Sequence, residues 1–105
     1  IDSFDLCSQI CQLFSVQVII DRIRRLRHDN QYSQAELATL LGISRGQIGC
    51  IESHRYPHKY TLHQIYTICQ EFKFRIEHLF LTDADYQNGN NIIDTLIIKI
   101  IKYEE

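Results

Sequence analysis

Two helix-start signals, separated by a single glycine turn, constrain this chain more than any other feature of its sequence. Ser33 and Glu36 form the pattern of a capping box, in which the serine side chain accepts from a first-turn amide and the glutamate reaches back to the cap. The same pattern recurs at Ser44 and Gln47, just after Gly42. Glycine tolerates the left-handed conformation that ends a helix. The spacing therefore predicts two short helices joined by a tight turn, which is typical of a helix-turn-helix unit.

Apolar residues at helical spacing flank this unit on both sides and predict an all-α middle segment. The preceding helix is expected to stop near Asn30, and a third cap at Thr61 with Gln64 begins a later helix. A loop at residues 54–60, which holds the only proline, comes before that helix, and a last short helix spans residues 76–81. The predicted inward positions are Val18, Ile19, Ile23, Leu26, Leu37, Leu40, Leu41, Ile48, Ile51, Leu62, Ile65, Tyr66, Ile68, Cys69, Phe72, Ile76, Leu79 and Phe80.

The net charge of −2 averages three unlike segments of the chain. Residues 1–16 carry −2, residues 17–81 carry +3 and residues 82–105 carry −3. We interpret these segments as an N-terminal arm, a central domain and a C-terminal arm. All five histidines lie in the central domain, so its positive charge grows below neutral pH. An acidic total therefore does not exclude nucleic acid as a partner.

A length of 105 residues fits one domain with short arms and excludes a large multidomain enzyme. The longest uncharged run, residues 6–20, is too short and too polar to span a membrane, and no secretory signal is seen. Four cysteines without C-x-x-C spacing predict reduced thiols rather than a metal site, and reduced thiols predict a cytoplasmic protein. No catalytic motif is present, which predicts a protein that is not an enzyme and needs no cofactor.

The motifs SQAELATLLGIS, I-x-x-I-E and I-x-x-L-F follow one another in this chain. With their spacing, they resemble the Cro/lambda-repressor type of helix-turn-helix domain, also called the Xre family. The resemblance covers about residues 18–81 and neither arm. It implies a five-helix fold that binds operator double-stranded DNA as a homodimer, with the third helix in the major groove. That groove is wide enough to admit one helix.

The resemblance also implies which residues contact DNA. Gln34 occupies the position of a family glutamine that bridges phosphate and base. Arg45 is the strongest candidate to read a base, because its guanidinium can bond O6 and N7 of guanine together, although a phosphate contact is an alternative. Gln47 is expected to read an adenine or to brace the backbone. The full predicted set is Gln34, Ser44, Arg45, Gly46, Gln47, Gly49, Cys50, Arg55, His58 and Lys59.

Two positions of the third helix depart from the family pattern. Gly46 and Gly49 stand where larger polar side chains are usual. Either the backbone approaches DNA closely there, or the helix relies on DNA shape, or DNA binding is weak or lost. Cys50 either lies near a thymine methyl group or packs partly in the core. The family also pairs an arginine late in the first helix with a glutamate late in the third, which implies a structural ion pair between Arg27 and Glu52.

Both arms carry apolar faces. In the C-terminal arm, apolar pairs recur every four residues, which predicts a helix, although the isoleucine content itself favours a strand. Such a stripe cannot stay exposed on a soluble monomer. It either folds back on its own domain or forms a dimer interface, which we favour because operator reading in this family uses two copies. The N-terminal face is Phe4, Cys7, Ile10, Cys11 and Phe14, and the predicted dimer interface is Ile93, Leu96, Ile97, Ile100 and Ile101.

These features together predict a dimeric, sequence-specific DNA-binding regulator that represses by occupying an operator. The alternative is an antitoxin-type or accessory module, in which the arms bind a protein partner and DNA binding is secondary. The sparse side chains of the third helix and the apolar arms both fit that alternative.

Overall fold

The computed structural model describes residues 2–55, 57–88 and 91–104, with side chains described from residue 16 onward apart from residue 88. Within these ranges the chain forms seven helices and no strand, which confirms the predicted all-α class. The helices are α1 (Asp2–Asp29), α2 (Gln34–Leu41), α3 (Arg45–Glu52), α4 (Leu62–Glu71), α5 (Glu77–Phe80), α6 (Asp83–Asn88) and α7 (Ile92–Glu104).

All three predicted helix-start signals form complete capping boxes. At α2, the Glu36 backbone N–H donates to Ser33 Oγ at 3.0 Å, and the Ser33 N–H donates to Glu36 Oε1 at 2.9 Å. The same reciprocal bonds join Ser44 with Gln47 and the cap of α4 with its third residue. Gly42 ends α2 with φ of 71°, so the predicted tight turn is confirmed. Local hydrogen bonding therefore determines where α2, α3 and α4 begin.

The core lies where α1 to α5 and α7 meet. Most predicted inward residues are buried or half-buried there, but Tyr66 is 55% exposed, so that prediction is wrong. Tyr66 follows the fully buried Ile65 and is turned away from the core, which α4 meets through Ile65, Ile68 and Cys69. The fully buried side chains include Ile20, Tyr60 and Tyr103, which the helical spacing did not single out.

The N-terminal arm and the first helix of the central domain form one continuous helix, α1. Its C-terminal half contributes Ile19, Ile20 and Ile23 to the core. The predicted apolar face of the arm lies outside the described side chains. The end of α1 is closed by Asn30, whose side-chain amide donates to the Leu26 carbonyl at 2.8 Å. Within the described ranges, no helix combines the length and the apolar character that crossing a bilayer requires.

The C-terminal arm contains two helices, α6 and α7, and α7 confirms helix over strand for the isoleucine-rich tail. Asp85 of α6 accepts from Lys99 Nζ of α7 at 2.5 Å. That bond, with those from Thr82, lowers the pKa of Asp85 to about 2. The inner face of α7 packs Leu96, Ile100 and Tyr103 against the domain. The surface that α7 offers to a partner is therefore narrower than the predicted interface, because Leu96 and Ile100 lie on the inner face.

Candidate nucleic-acid interface

The helix pair α2–α3 is held by its own turn and by the core beneath it. The Ile43 N–H donates to the Ala38 carbonyl at 3.0 Å, which closes the turn after Gly42. Leu37 of α2 and Ile48 of α3 are fully buried. Since the inner faces of both helices are fixed, the opposite face of α3 is presented outward on a rigid support.

The outward face of α3 begins with four exposed residues in sequence, Ser44 to Gln47. Arg45 is among these exposed residues, while Gly49 and Cys50, one turn later, are half-buried. The structure therefore brings the predicted base-reading residues of α3 onto one surface. Cys50 is a free thiol at the edge of that surface.

Gln47 has one of its polar atoms engaged by the helix cap. Its side-chain Oε1 accepts from the Ser44 N–H at 3.2 Å. The atom it offers outward is therefore the amide Nε2, which only donates. A donor suits phosphate oxygens or guanine acceptors, whereas the bidentate contact to adenine also needs the glutamine oxygen. The capping box thus engages one of the two Gln47 atoms that an adenine contact would use and leaves Nε2 as a donor for a phosphate or a base.

Neither glycine of α3 is required by the packing of the protein. A Cβ atom at Gly46 would come within 4 Å only of Ser44 Oγ, at 3.8 Å, and a Cβ atom at Gly49 would meet nothing within 4 Å. Glycine inside a helix costs about 1 kcal/mol relative to alanine. The fold therefore bears this cost without gaining any internal contact from it.

Beneath α3, three residues from three helices form a polar cluster: the buried Arg27 and Glu52 and the half-buried Gln34. Arg27 Nε donates to Glu52 Oε2 at 2.8 Å, and Arg27 Nη2 donates to Glu52 Oε1 at 3.0 Å. Both side chains are buried, with 6% and 7% of the two residues exposed. Arg27 Nη1 also donates to the Tyr32 carbonyl at 2.7 Å. This bidentate pair ties α3 to α1 in the way that the family resemblance implied.

Gln34 joins the cluster from the first turn of α2. Its Nε2 donates to Glu52 Oε1 at 2.9 Å. Burial raises the pKa of Glu52, but the hydrogen bonds from Arg27 and Gln34 outweigh burial and hold it below its usual range. The structure thus places Gln34, predicted as a DNA contact, beside the ion pair, half-buried at the base of α3.

The loop after α3 carries the predicted phosphate-contacting residues, and the structure separates them. Arg55 and His58 are exposed. Lys59, in contrast, donates from Nζ to the Tyr103 carbonyl of α7, and its Nζ lies 4.8 Å from the centroid of the Tyr103 ring. The Tyr103 hydroxyl donates in turn to the Tyr60 carbonyl at 2.5 Å. Sequence reasoning missed this clamp between α7 and the loop, because no local pattern joins residues so far apart.

The described residues offer no site for a metal: no three His, Cys, Asp or Glu side chains among them are grouped to hold an ion. The described cysteines, Cys50 and Cys69, are free thiols, and burial raises the pKa of Cys69 to about 11. What the surface of α3 can do is donate hydrogen bonds and positive charge to a ligand.

The pattern of residues 22–85 matches the family model described as a Cro/C1-type helix-turn-helix DNA-binding domain. The match spans α2, α3, α4 and α5, with part of α1 and α6. No curated protein and no solved structure matches the chain.

Proposed function

This chain belongs to the Cro/C1-type helix-turn-helix DNA-binding family, and we propose that it is a homodimeric repressor that reads operator DNA with α3. The observation that carries the proposal is the exposed start of α3, with Arg45 and Gln47 on a support fixed by Arg27 and Glu52. In helix-turn-helix proteins, base edges are contacted by the N-terminal residues of the recognition helix. Repression then follows from occupancy of the operator, without chemistry.

In this proposal, the central domain and the C-terminal arm make different contacts. Residues 17–81 would supply the DNA contacts, and the C-terminal arm, residues 82–105, would supply the dimer contacts. Ile93, Ile97 and Ile101 of α7 are about half or more exposed, which supports a second copy on that face. Two copies would place their recognition helices one DNA turn apart, about 34 Å.

A selection from a pool of random duplexes tests the proposal at low salt. We expect enrichment of a sequence with two symmetric half-sites whose centres lie one helical turn apart. A pool that shows no enrichment, or that binds only without sequence preference, would favour the antitoxin-type alternative. That alternative draws its support from the same exposed face of α7 and from the two positions of α3 that carry no side chain.

We expect alanine substitutions at the two glycines of α3 to affect folding stability and DNA affinity differently. Gly46→Ala and Gly49→Ala should each raise the free energy of unfolding by about 1 kcal/mol, because the helix gains propensity and both sites have room for a Cβ. If the backbone of α3 approaches DNA closely, the same changes lower the affinity for the selected duplex. Urea titration and fluorescence anisotropy measure the two effects. Gln70→Ala, on the exposed side of α4, is the control that leaves DNA affinity unchanged.

The salt dependence of binding distinguishes the two cations of the loop. Each phosphate contact contributes about 0.9 to the slope of log K against log salt concentration. Arg55→Ala should remove one phosphate contact for each copy bound and so reduce the magnitude of the slope by about 0.9 per copy. Lys59→Met should leave the slope unchanged, because Tyr103 of α7 engages the Lys59 ammonium. An equal reduction for both variants would mean that DNA displaces α7 from Lys59.

A further inference from the structure

A cavity of about 240 Å³ lies between the C-terminal half of α1 and α7. Its apolar wall is formed by Val18 and Ile19 of α1, Phe80 of α5 and Tyr103 of α7. Ile19, Phe80 and Tyr103 belong to the buried core, and the rings of Phe80 and Tyr103 meet edge to face with their centroids 5.8 Å apart. The cavity therefore has a firmly packed apolar wall that contains two aromatic rings.

The volume of the cavity limits the size of a ligand that could fill it. Pockets for drug-sized molecules span about 300–1,000 Å³. An apolar cavity of about 150 Å³ is already large enough to bind benzene. A cavity of about 240 Å³ accordingly fits one ring with a short substituent. The aromatic wall favours such a ring, because aromatic pairs gain from edge-to-face and offset packing.

The polar residues of this cavity give it a positive rim. They are Arg22, Thr82, Lys99 and Lys102, and no Asp or Glu of the described part of the chain lines the cavity. Lys99 is bound to Asp85 of α6, and Lys102 also interacts within the chain. Both lysines have partners of their own, so direct contact with a ligand falls to Arg22.

Arg22 is half-buried and keeps donor groups for a ligand. Its Nη1 donates to the Leu79 carbonyl at 2.6 Å and to the Leu81 carbonyl at 3.4 Å, which fixes the guanidinium beside the end of α5. Among the described residues, Nε and Nη2 of Arg22 have no hydrogen-bond partner, and no carboxylate forms an ion pair with it. Nε and Nη2 together bind both oxygens of one carboxylate, as they do between Arg27 and Glu52.

We propose that this cavity binds a small organic carboxylate with one apolar ring. Arg22 Nε and Nη2 hold the carboxylate, and the ring packs against Phe80 and Tyr103. No residue of α3 lines the cavity, so this inference goes beyond the proposed function and does not depend on it. A ligand there contacts α1, α5 and α7 together, and its binding stabilises the folded chain in which these helices meet.

Isothermal titration calorimetry of the full chain with phenylacetate tests the site. We expect one site per chain with a dissociation constant below about 1 mM, a modest affinity because so small a ligand has few atoms. Phenylacetamide has nearly the same shape but no charge. It should bind at least about tenfold more weakly, because the charge-assisted bonds from Arg22 are lost. This comparison uses the unaltered chain, so it does not depend on the folding of any variant.

Three variants locate the ligand. Val18→Phe fills the cavity from α1 and should abolish binding of phenylacetate. Arg22→Gln should weaken binding about tenfold, to the level of the neutral amide. Arg25→Gln makes the same change at an exposed residue of α1 that lines a separate opening and not this cavity, so it should leave binding unchanged. Far-ultraviolet circular dichroism and urea unfolding confirm that each variant is folded.

The contrary outcomes are equally definite. No binding of phenylacetate by the original chain would overturn the proposal, and so would equal binding of phenylacetamide, since Arg22 would then hold no carboxylate. Undiminished binding by a folded Val18→Phe chain, or loss of binding in Arg25→Gln, would place the ligand outside this cavity and would also overturn it. Binding of duplex DNA without phenylacetate, measured separately, reports on α3, so the two proposals succeed or fail independently.

Discussion

Arg45→Ala is expected to lower the affinity for the selected operator by about ten- to a hundredfold for each half-site, which corresponds to about 1–3 kcal/mol. Arg45 is exposed in the first turn of α3, next to the exposed Gly46 and Gln47. A guanidinium in that position can bond two acceptors of a guanine at once. Fluorescence anisotropy with the operator and with a scrambled duplex measures the loss and its sequence dependence.

Two further variants identify what Arg45 contacts. Arg45→Lys keeps the charge but loses the planar fork, so a base-reading role predicts a loss close to that of the alanine variant. If Arg45 instead contacts phosphate, the lysine variant should keep most of the affinity, and alanine should weaken operator and scrambled duplex alike. Arg75→Ala removes an exposed arginine outside α2, α3 and the loop, and it should leave binding to the operator unchanged.

Arg27→Met is expected to reduce the free energy of unfolding by about 3 kcal/mol. The change removes both hydrogen bonds that Arg27 makes to Glu52. The buried carboxylate then keeps Gln34 as a hydrogen-bond donor and the more exposed Arg24, whose Nε lies 3.9 Å from Glu52 Oε1, as its nearest cation. An unpaired buried charge is costly, whereas replacing both members by apolar residues is often close to neutral. The double variant Arg27→Met with Glu52→Leu should therefore recover most of the loss. Urea denaturation of the three proteins measures this cycle.

The pH dependence of this effect has a definite sign. The folded-state pKa of Glu52 is lowered, so the ion pair stabilises the protein above the usual glutamate pKa of about 4.3 and is lost as pH falls through the lower folded value. The difference in unfolding free energy between the original chain and Arg27→Met should shrink as the solution is acidified below about pH 4.3. A difference that stays constant from neutral pH into this acid range would show that packing of the Arg27 chain, rather than its charge, provides the stability.

The features that the sequence predicted well are those determined by neighbouring residues. A capping box needs only a side chain and the residue three positions later, and a glycine turn needs only one backbone conformation. The starts of α2, α3 and α4 and the turn at Gly42 were therefore readable from the sequence. The Arg27–Glu52 pair was reached differently, through the family resemblance, since no local rule connects residues on α1 and α3.

What the sequence did not show depends on contacts between distant segments. Lys59 donates to the Tyr103 carbonyl, and the Tyr103 hydroxyl donates to the Tyr60 carbonyl, so these bonds join the loop to α7. The loop and α7 are distant in sequence, and only folding brings the two segments together. The apolar residues of α7 looked like one interaction surface in the sequence. In the structure, Leu96 and Ile100 pack against the domain, and only Ile93, Ile97 and Ile101 of the predicted interface stay exposed. The sequence likewise suggested that the Gln34 side chain is available to contact DNA. In the structure, its amide Nε2 donates a hydrogen bond to Glu52 Oε1.

The measurement that tests the central claim most directly is a titration of the selected duplex with the original chain and with the double variant Gln34→Ala, Arg45→Ala. If α3 and the start of α2 read the operator, the original chain binds at low salt and the double variant loses at least about a hundredfold in affinity. Its urea midpoint is measured alongside, because Gln34 also supports Glu52. No binding by the original chain at low salt, or equal binding by a folded double variant, would contradict the account.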